Sequence, residues 1–503
     1  MRAEKTLKFI FRKEDNMFKK HISAVLFLAM LMSVVTSCGG EGSSDVTTRS
    51  DTTPESTTEA TWIPDVNYDG YKFRVLNFET YFSSYIRVDV QEQSGEMLDD
   101  AVYNRNRKIE QAMNFTLEEV KMPYAQWNTD QIALMDRVTN SVMAGDDEFD
   151  AAYVQPYFKP AILTEGSLVD LNSIPELKLD EIWWDRSLNS SFDINGKLYA
   201  ATGALQFMPL DSVWVLLFNE TKLDSLQLEY PYQLVRDGKW TLDKFYEYAQ
   251  KCTQLNGDES FTWNESGNAV YGIAGHTSVP GAMIYSCDYR FVEPDKGGYK
   301  VQLTSEKLVD ALGKITKLFD SENGIIRVNN GSGEKSDGYI GMFRNGRAAF
   351  VTVGLAAVSE YRNMNDSYGL VPFPKYDEAQ ENYITQTGVS SQMLGIPVTV
   401  KDLSRAGNIL EALTHESYDS VMPVYYGVRV EQKGLRNEDS IEMLQLVRNN
   451  YGLESAQVLG VTSGYISALT SMVQNQESNA ASLAASNEAT VKTKLDELLK
   501  SFG

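Results

Sequence analysis

Side chains able to do covalent or metal chemistry are scarce in this 503-residue chain, which has three histidines and three cysteines. No His or Cys pair stands at zinc-ligand spacing, so neither a metal nor any other cofactor is expected. The chain has no GxSxG elbow; Gly331-Ser332-Gly333 comes nearest and lacks both the spacing and a preceding strand. Walker and GxGxxG loops are missing as well. A glycosidase needs two carboxylates at a set separation, but among 69 acidic residues some pair always qualifies, so that signal decides nothing. Aromatic surface is plentiful: 27 Tyr, 21 Phe and 7 Trp, more than a core needs. The surplus could line a cleft in which flat rings stack on a hydroxylated ring and a few planar polar groups take its hydroxyls. Trp183-Trp184 is a candidate platform, yet adjacent residues do not easily face one cleft. Such a pair is expected to split between core and surface.

One cysteine has a distinctive setting. Lys19 and Lys20 precede an apolar run at residues 22–35, about 14 residues long, which ends at Val35-Thr36-Ser37-Cys38, the pattern of a secretory signal. The run is shorter than the roughly 20 residues of a spanning helix. Cys38 after two small residues, with Gly39 and Gly40 behind it, resembles the lipobox of bacterial lipoproteins. That implies a signal peptide at 1–37 and a lipidated Cys38; the alternative is an ordinary cleaved signal with a chance cysteine. The sixteen residues before Met17 carry mixed charge that no signal needs, so Met17 is a candidate start. Gly39, rather than Asp, gives no inner-membrane retention cue, which suits a cell with a single membrane. Residues 39–60 are nearly all Ser, Thr, Asp, Glu and Gly and cannot repay ordering. Residues 38–66 therefore read as a lipidated, flexible tether with a reach of roughly 25 Å.

The chain carries a net charge of −23, about −27 without the leader. Such acidity argues against nucleic acid and anionic lipid as partners, and its simplest role is solubility. About 465 mature residues exceed one core and imply two lobes. Cys252 and Cys287 could form one disulfide outside the cell, and sequence leaves their geometry open.

The elements that must position any site follow in order. Tyr71–Phe78 reads as a strand entering a core, followed by a helix carrying Leu98, Val102, Ile109 and Met113. A strand at 115–120 and a helix with Met135, Val138 and Val142, stopped at Gly145, come next. Residues 149–154 make another buried strand. Strands alternating with helices give a parallel sheet whose ligands sit beyond the carboxyl ends. That singles out 79–82, with Tyr81 and Phe82, and 153–157, with Tyr153 and Gln155. Asn195-Gly196 signals a type I′ hairpin. Val213–Phe218 is a continuous apolar strand with Asn219 as the next helix cap, and Thr241 caps another helix. Strands at 270–274 and 348–353, an extended piece at 368–374 and a mostly helical remainder complete the chain.

In this order, FDAAY at 149–153, LVDLN at 168–172, NGKLY at 195–199, VLLFN at 215–219, WTLDKF at 240–245, FRNGRAAF at 343–350 and YGLVPFP at 368–374 resemble the extracellular solute-binding proteins, family 1, that serve ABC importers for sugars and oligosaccharides. Residues 417–426 and 439–443 are similar to clostridial-type members, while 388–391 is a poorer match to the family's return strand. The resemblance implies an α/β, two-lobed periplasmic-binding-protein-like fold of type 2, each lobe a sheet flanked by helices, joined by a hinge of crossing strands. Lobe 1 would hold 67–211 plus 369–415, and lobe 2 would hold 212–367 plus 416–503. The crossing strands would be 213–218 and 368–374. It further implies Asp211 as hydroxyl acceptor and Trp214 as stacking face, the alternative for Trp214 being a core aromatic. Tyr153 and Gln155 would contact ligand, with Tyr81, Phe82, Tyr285, Asp288 and Gly354 as further candidates. The function expected is a membrane-anchored, monomeric receptor that captures a carbohydrate and delivers it to permease subunits. A surface glycan-active hydrolase or a non-transport carbohydrate-binding lipoprotein is the alternative.

Overall fold

The computed structural model describes residues 62–79, 88–295, 298–329, 335–427, 435 and 437–502. Cys38, Tyr81 and Phe82 lie outside the described residues. The strands in chain order are β1 (Tyr71–Phe78), β2 (Phe115–Met122), β3 (Ala151–Val154), β4 (Trp214–Asn219), β5 (Tyr271–Gly275), β6 (Val292–Asp295), β7 (Gly298–Val301), β8 (Ile326–Val328), β9 (Ala348–Gly354), β10 (Tyr368–Val371), β11 (Thr385–Gln386), β12 (Met393–Gly395) and β13 (Tyr451–Gly452).

The first sheet has the order β12-β3-β1-β2. Its first three strands in sequence are parallel, with Tyr71 opposite Phe115 and Val75 opposite Ala151, and β12 closes the edge antiparallel. Helices Met97–Met113 and Trp127–Ala144 make the crossovers. The second of these stops at Gly145, as expected, because φ = 72° there is open to a residue without a Cβ. Phe73, Val75, Leu76, Ile109, Met113, Met135 and Val138 form the core at 1% exposure or less. Each such side chain contributes about 1.5–3 kcal/mol on burial.

The second sheet has the order β10-β4-β9-β5-β8. β4 runs antiparallel to both neighbours, whereas β5 is parallel to β9 and β8. Trp240, Phe245, Tyr248 and Phe350 meet ring to ring at its centre, with centroids 5.3–6.5 Å apart. Asn219 and Thr241 cap their helices as expected, accepting from the backbone N–H of Lys222 at 2.9 Å and of Lys244 at 3.3 Å. Asn195 and Gly196 take φ = 56° and 78°, with Ile194 bridged to Lys197, the turn their dipeptide demands.

The path between the sheets departs from expectation at β10. Tyr368 pairs with Asn219 and Val371 with Leu216, so this strand belongs to the second sheet. Gly369 is wedged there: a Cβ on it would lie 2.0 Å from the Tyr232 hydroxyl. The chain returns to the first sheet only later, between Tyr383 in one core and Met393 in the other. Three passages lie side by side: Thr385 Oγ1 donates to the Trp214 carbonyl at 2.6 Å, and β11 pairs with β13. The C-terminal segment is likewise shared, since Leu453, Leu459 and Phe502 pack in the first core while Tyr465, Leu469 and Val491 pack in the second.

Cys252 and Cys287 are free, buried thiols, and burial pushes both up to about 12. No helix among the described residues is long and apolar enough to cross a membrane.

Candidate functional site

The carboxyl ends of β3, β5 and β9 and the start of β4 converge where the chain passes between the sheets. Trp214 opens β4 opposite Gly354, the last residue of β9. Its ring is half-buried and lies 6.0 Å from His276, which follows β5; His276 in turn meets Tyr339 edge-on at 5.7 Å. These three rings line the end of the second sheet. Burial pushes the His276 pKa down, so the ring is neutral near pH 7. Its Nδ1 is held by Ser278, 2.8 Å from the hydroxyl and 3.2 Å from the backbone N–H.

The passages that run between the sheets are polar. Ser212 Oγ lies 3.2 Å from Thr387 Oγ1 and 3.3 Å from Ser391 Oγ, a hydroxyl cluster joining the outgoing and returning passages. Such close approach needs Gly388, where a Cβ would sit 2.8 Å from the Cβ of Ser212. Gln155 Nε2 donates to the Ser390 carbonyl at 2.8 Å, tying the end of β3 to the return passage. The half-buried rings at these strand ends suit stacking on a hydroxylated ligand, while the three hydroxyls brace the passages by donating to the Met208, Pro209 and Gly388 carbonyls. Among the described residues no cluster of His, Cys, Asp and Glu could hold a metal ion.

A family model for bacterial extracellular solute-binding proteins matches residues 108–419. The chain belongs to that family. No curated protein matches its sequence. Among solved structures, this solute-binding protein is similar to the GacH receptor of Streptomyces glaucescens, determined unliganded and with acarbose: 13% identity, TM-score 0.53, covering 84% of this chain and 99% of the other. It is also similar to the galacto-N-biose-/lacto-N-biose I-binding protein of the ABC transporter from Bifidobacterium longum, at 11% identity and TM-score 0.54, covering 85% and 98%. A third is a sugar transporter from Rhizobium etli in an open conformation, at 15% identity and TM-score 0.53, covering 86% and 99%. At these identities the likeness is one of fold, the two-lobed α/β body with each sheet flanked by helices.

The candidates from sequence scatter around this frame. Trp214, Gly354 and Gln155 come together at the strand ends. Asp211 lies just beneath them at 3% exposure, accepting from the Tyr425 hydroxyl, and a Cβ on Gly354 would stand 3.2 Å from the Asp211 carbonyl. Tyr153 is packed in the first core at 1% exposure, and burial pushes its pKa up. Tyr285 is packed toward β13, where its hydroxyl would lie 2.4 Å from a Cβ on Gly452, with the Arg290 guanidinium 3.5 Å over its ring. Asp288 lies just past the helix Val279–Ser286 that carries Tyr285, at φ = 54°, and 3.9 Å from Arg290. Trp183 and Trp184 split as expected: Trp184 is core, Trp183 half-buried, and both indoles donate to Glu411. Sequence reasoning missed His276 and Tyr339. The rule that ligands sit past strand ends would have found His276 had it been applied after residues 270–274. Tyr339 carries no such signal, because only the pairing of β5 with β9 brings its helix to that edge.

Proposed function

We propose that this solute-binding protein captures a carbohydrate between its two lobes by hinge closure and hands it to the permease of an ABC importer. The observation that carries the reading is the half-buried Trp214 ring at the start of β4, 6.0 Å from His276 and paired with Gly354 at the end of β9. Acarbose in the GacH receptor and lacto-N-biose in the Bifidobacterium longum protein support the ligand class. Residues 1–37 would serve as signal peptide, and Cys38 would carry the lipid that holds a monomeric receptor on the extracellular face of a single membrane. Residues 38–61 would let it swing above the permease; the tether expected to reach 66 ends sooner, because Trp62, Ile63 and Val66 pack against the first core and the Trp62 ring lies 3.8 Å from His415.

A thermal-shift screen of the tethered body against a glycan panel tests the reading. Ligand at a hundredfold its Kd adds about 2.7 kcal/mol of stability, readily seen as a raised melting temperature. Trp214→Ala should abolish that shift in a protein that still unfolds cooperatively, at a lowered unliganded melting temperature because the ring also packs against the second core; retained affinity removes Trp214 from the site. No glycan shift together with cleavage of a chromogenic glycoside would sink the transport reading. Failure of labelled palmitate to mark Cys38 would remove the anchor.

A further inference from the structure

A cavity of about 290 Å³ abuts the strand-end residues at Pro209 and Leu210, but none of Gln155, Ser212, Trp214, His276 or Gly354 borders it. Its walls come from stretches remote in sequence: Trp183 and Asp185, before the helix Arg186–Phe192, and Tyr426, Arg448 and Tyr451 from the C-terminal third. Trp183 is held rigidly for a residue at a cavity wall. His415 stacks on it at 3.9 Å with the planes 13° apart, and its Nε1 donates to Glu411 at 2.7 Å. The Arg448 guanidinium lies 3.4 Å over the Tyr426 ring. Asp185 accepts from the Tyr451 hydroxyl and from the Leu188 backbone N–H. Burial pushes the Asp185 carboxyl up, so a further donor to it would be favourable.

We propose that this cavity is a second ligand site, taking one hydroxylated ring of monosaccharide or cyclitol size. The volume sits at the small end of ligand pockets, roughly 300 Å³ upward, which admits one ring and not a chain. Rigid aromatic faces suit the apolar side of such a ring. Asp185 and Arg448 offer an acceptor and a planar donor for vicinal hydroxyls, and their opposite charges select for no net charge on the ligand. Nothing in this requires the strand-end site to bind the same molecule.

Saturation-transfer NMR on the Trp214→Ala protein tests it, with glucose, galactose, mannose and myo-inositol each at millimolar concentration. The Trp214 substitution removes the other site's stacking face, so binding that persists reports on the cavity. At least one ring should bind, and adding Arg448→Ala should weaken it at least about tenfold. Arg448 is surface-exposed, so this change should leave the melting temperature unaltered. Asp185→Asn, which keeps a helix-capping oxygen, should weaken the same ligand. No ring binding to the Trp214→Ala protein, or an unchanged affinity after Arg448→Ala, overturns the proposal. Whether Trp214→Ala costs the wild-type protein its oligosaccharide affinity is read separately and speaks only to the strand-end site.

Discussion

Glu454 follows the last hinge passage and is 6% exposed. Its Oε1 accepts from the backbone N–H groups of Phe291 at 2.8 Å and Val292 at 3.2 Å, tying the hinge to the second lobe. Desolvation outweighs those bonds and the nearby Arg290 charge, and raises the carboxyl from 4.5 to about 7. Each pKa unit corresponds to about 1.4 kcal/mol, so the shift amounts to about 3 kcal/mol to order of magnitude. Below pH 4.5 the group is protonated whether the protein is folded or unfolded. As pH rises from there, the unfolded chain releases the proton first, the native state binds more protons, and stability falls until about pH 7. Glu454→Gln keeps the accepting oxygen and cannot ionise. Urea unfolding at pH 5, 6, 7 and 8 should show wild type losing stability relative to the variant by about 3 kcal/mol, nearly all of it before pH 8. Other buried carboxyls titrate equally in both proteins and cancel in the difference. Parallel curves across that range would refute the assignment of the shift to Glu454.

Gly369→Ala should cost about 1–3 kcal/mol in urea unfolding, because its Cβ would overlap the Tyr232 hydroxyl and the Phe218 ring; no loss would mean that β10 is not pinned against them. Asn219→Ala removes both the acceptor for the Lys222 N–H and the Nδ2 donor to Asp366 and should cost about 1 kcal/mol or more, and Asn219→Asp should not restore it, because a buried carboxylate would then face Asp366. Cys252 and Cys287 should resist an alkylating reagent in the native protein and react in urea, and a reductant should leave the melting temperature unchanged. A reductant-induced drop would show that they are bridged in solution.

Much of the fold was legible because it rests on local rules. The alternation and then full burial of Tyr71–Phe78, the caps Asn219 and Thr241, and the Asn195-Gly196 turn act over a few residues, and each formed as read. Of the proposed site, sequence named the residues that stand at or next to a strand end: Gln155, Trp214 and Gly354. Tyr153 looked the same in sequence, yet its ring turned into the core at the edge shared with β12, since strand periodicity fixes which neighbours alternate and not which face a ligand meets.

By itself, the sequence determined the two-lobe scale, the parallel run of β1, β2 and β3 and the positions of caps and turns, all from composition and short-range spacing. Tertiary structure alone decided that β10 stays with the second sheet, that Ser212 meets Thr387 and Ser391, and that Asp185 meets Tyr451 across 266 residues. Those pairings depend on how strands order themselves in a sheet and how passages stack between two cores. They are set by the summed burial of whole elements, which no short window of sequence encodes.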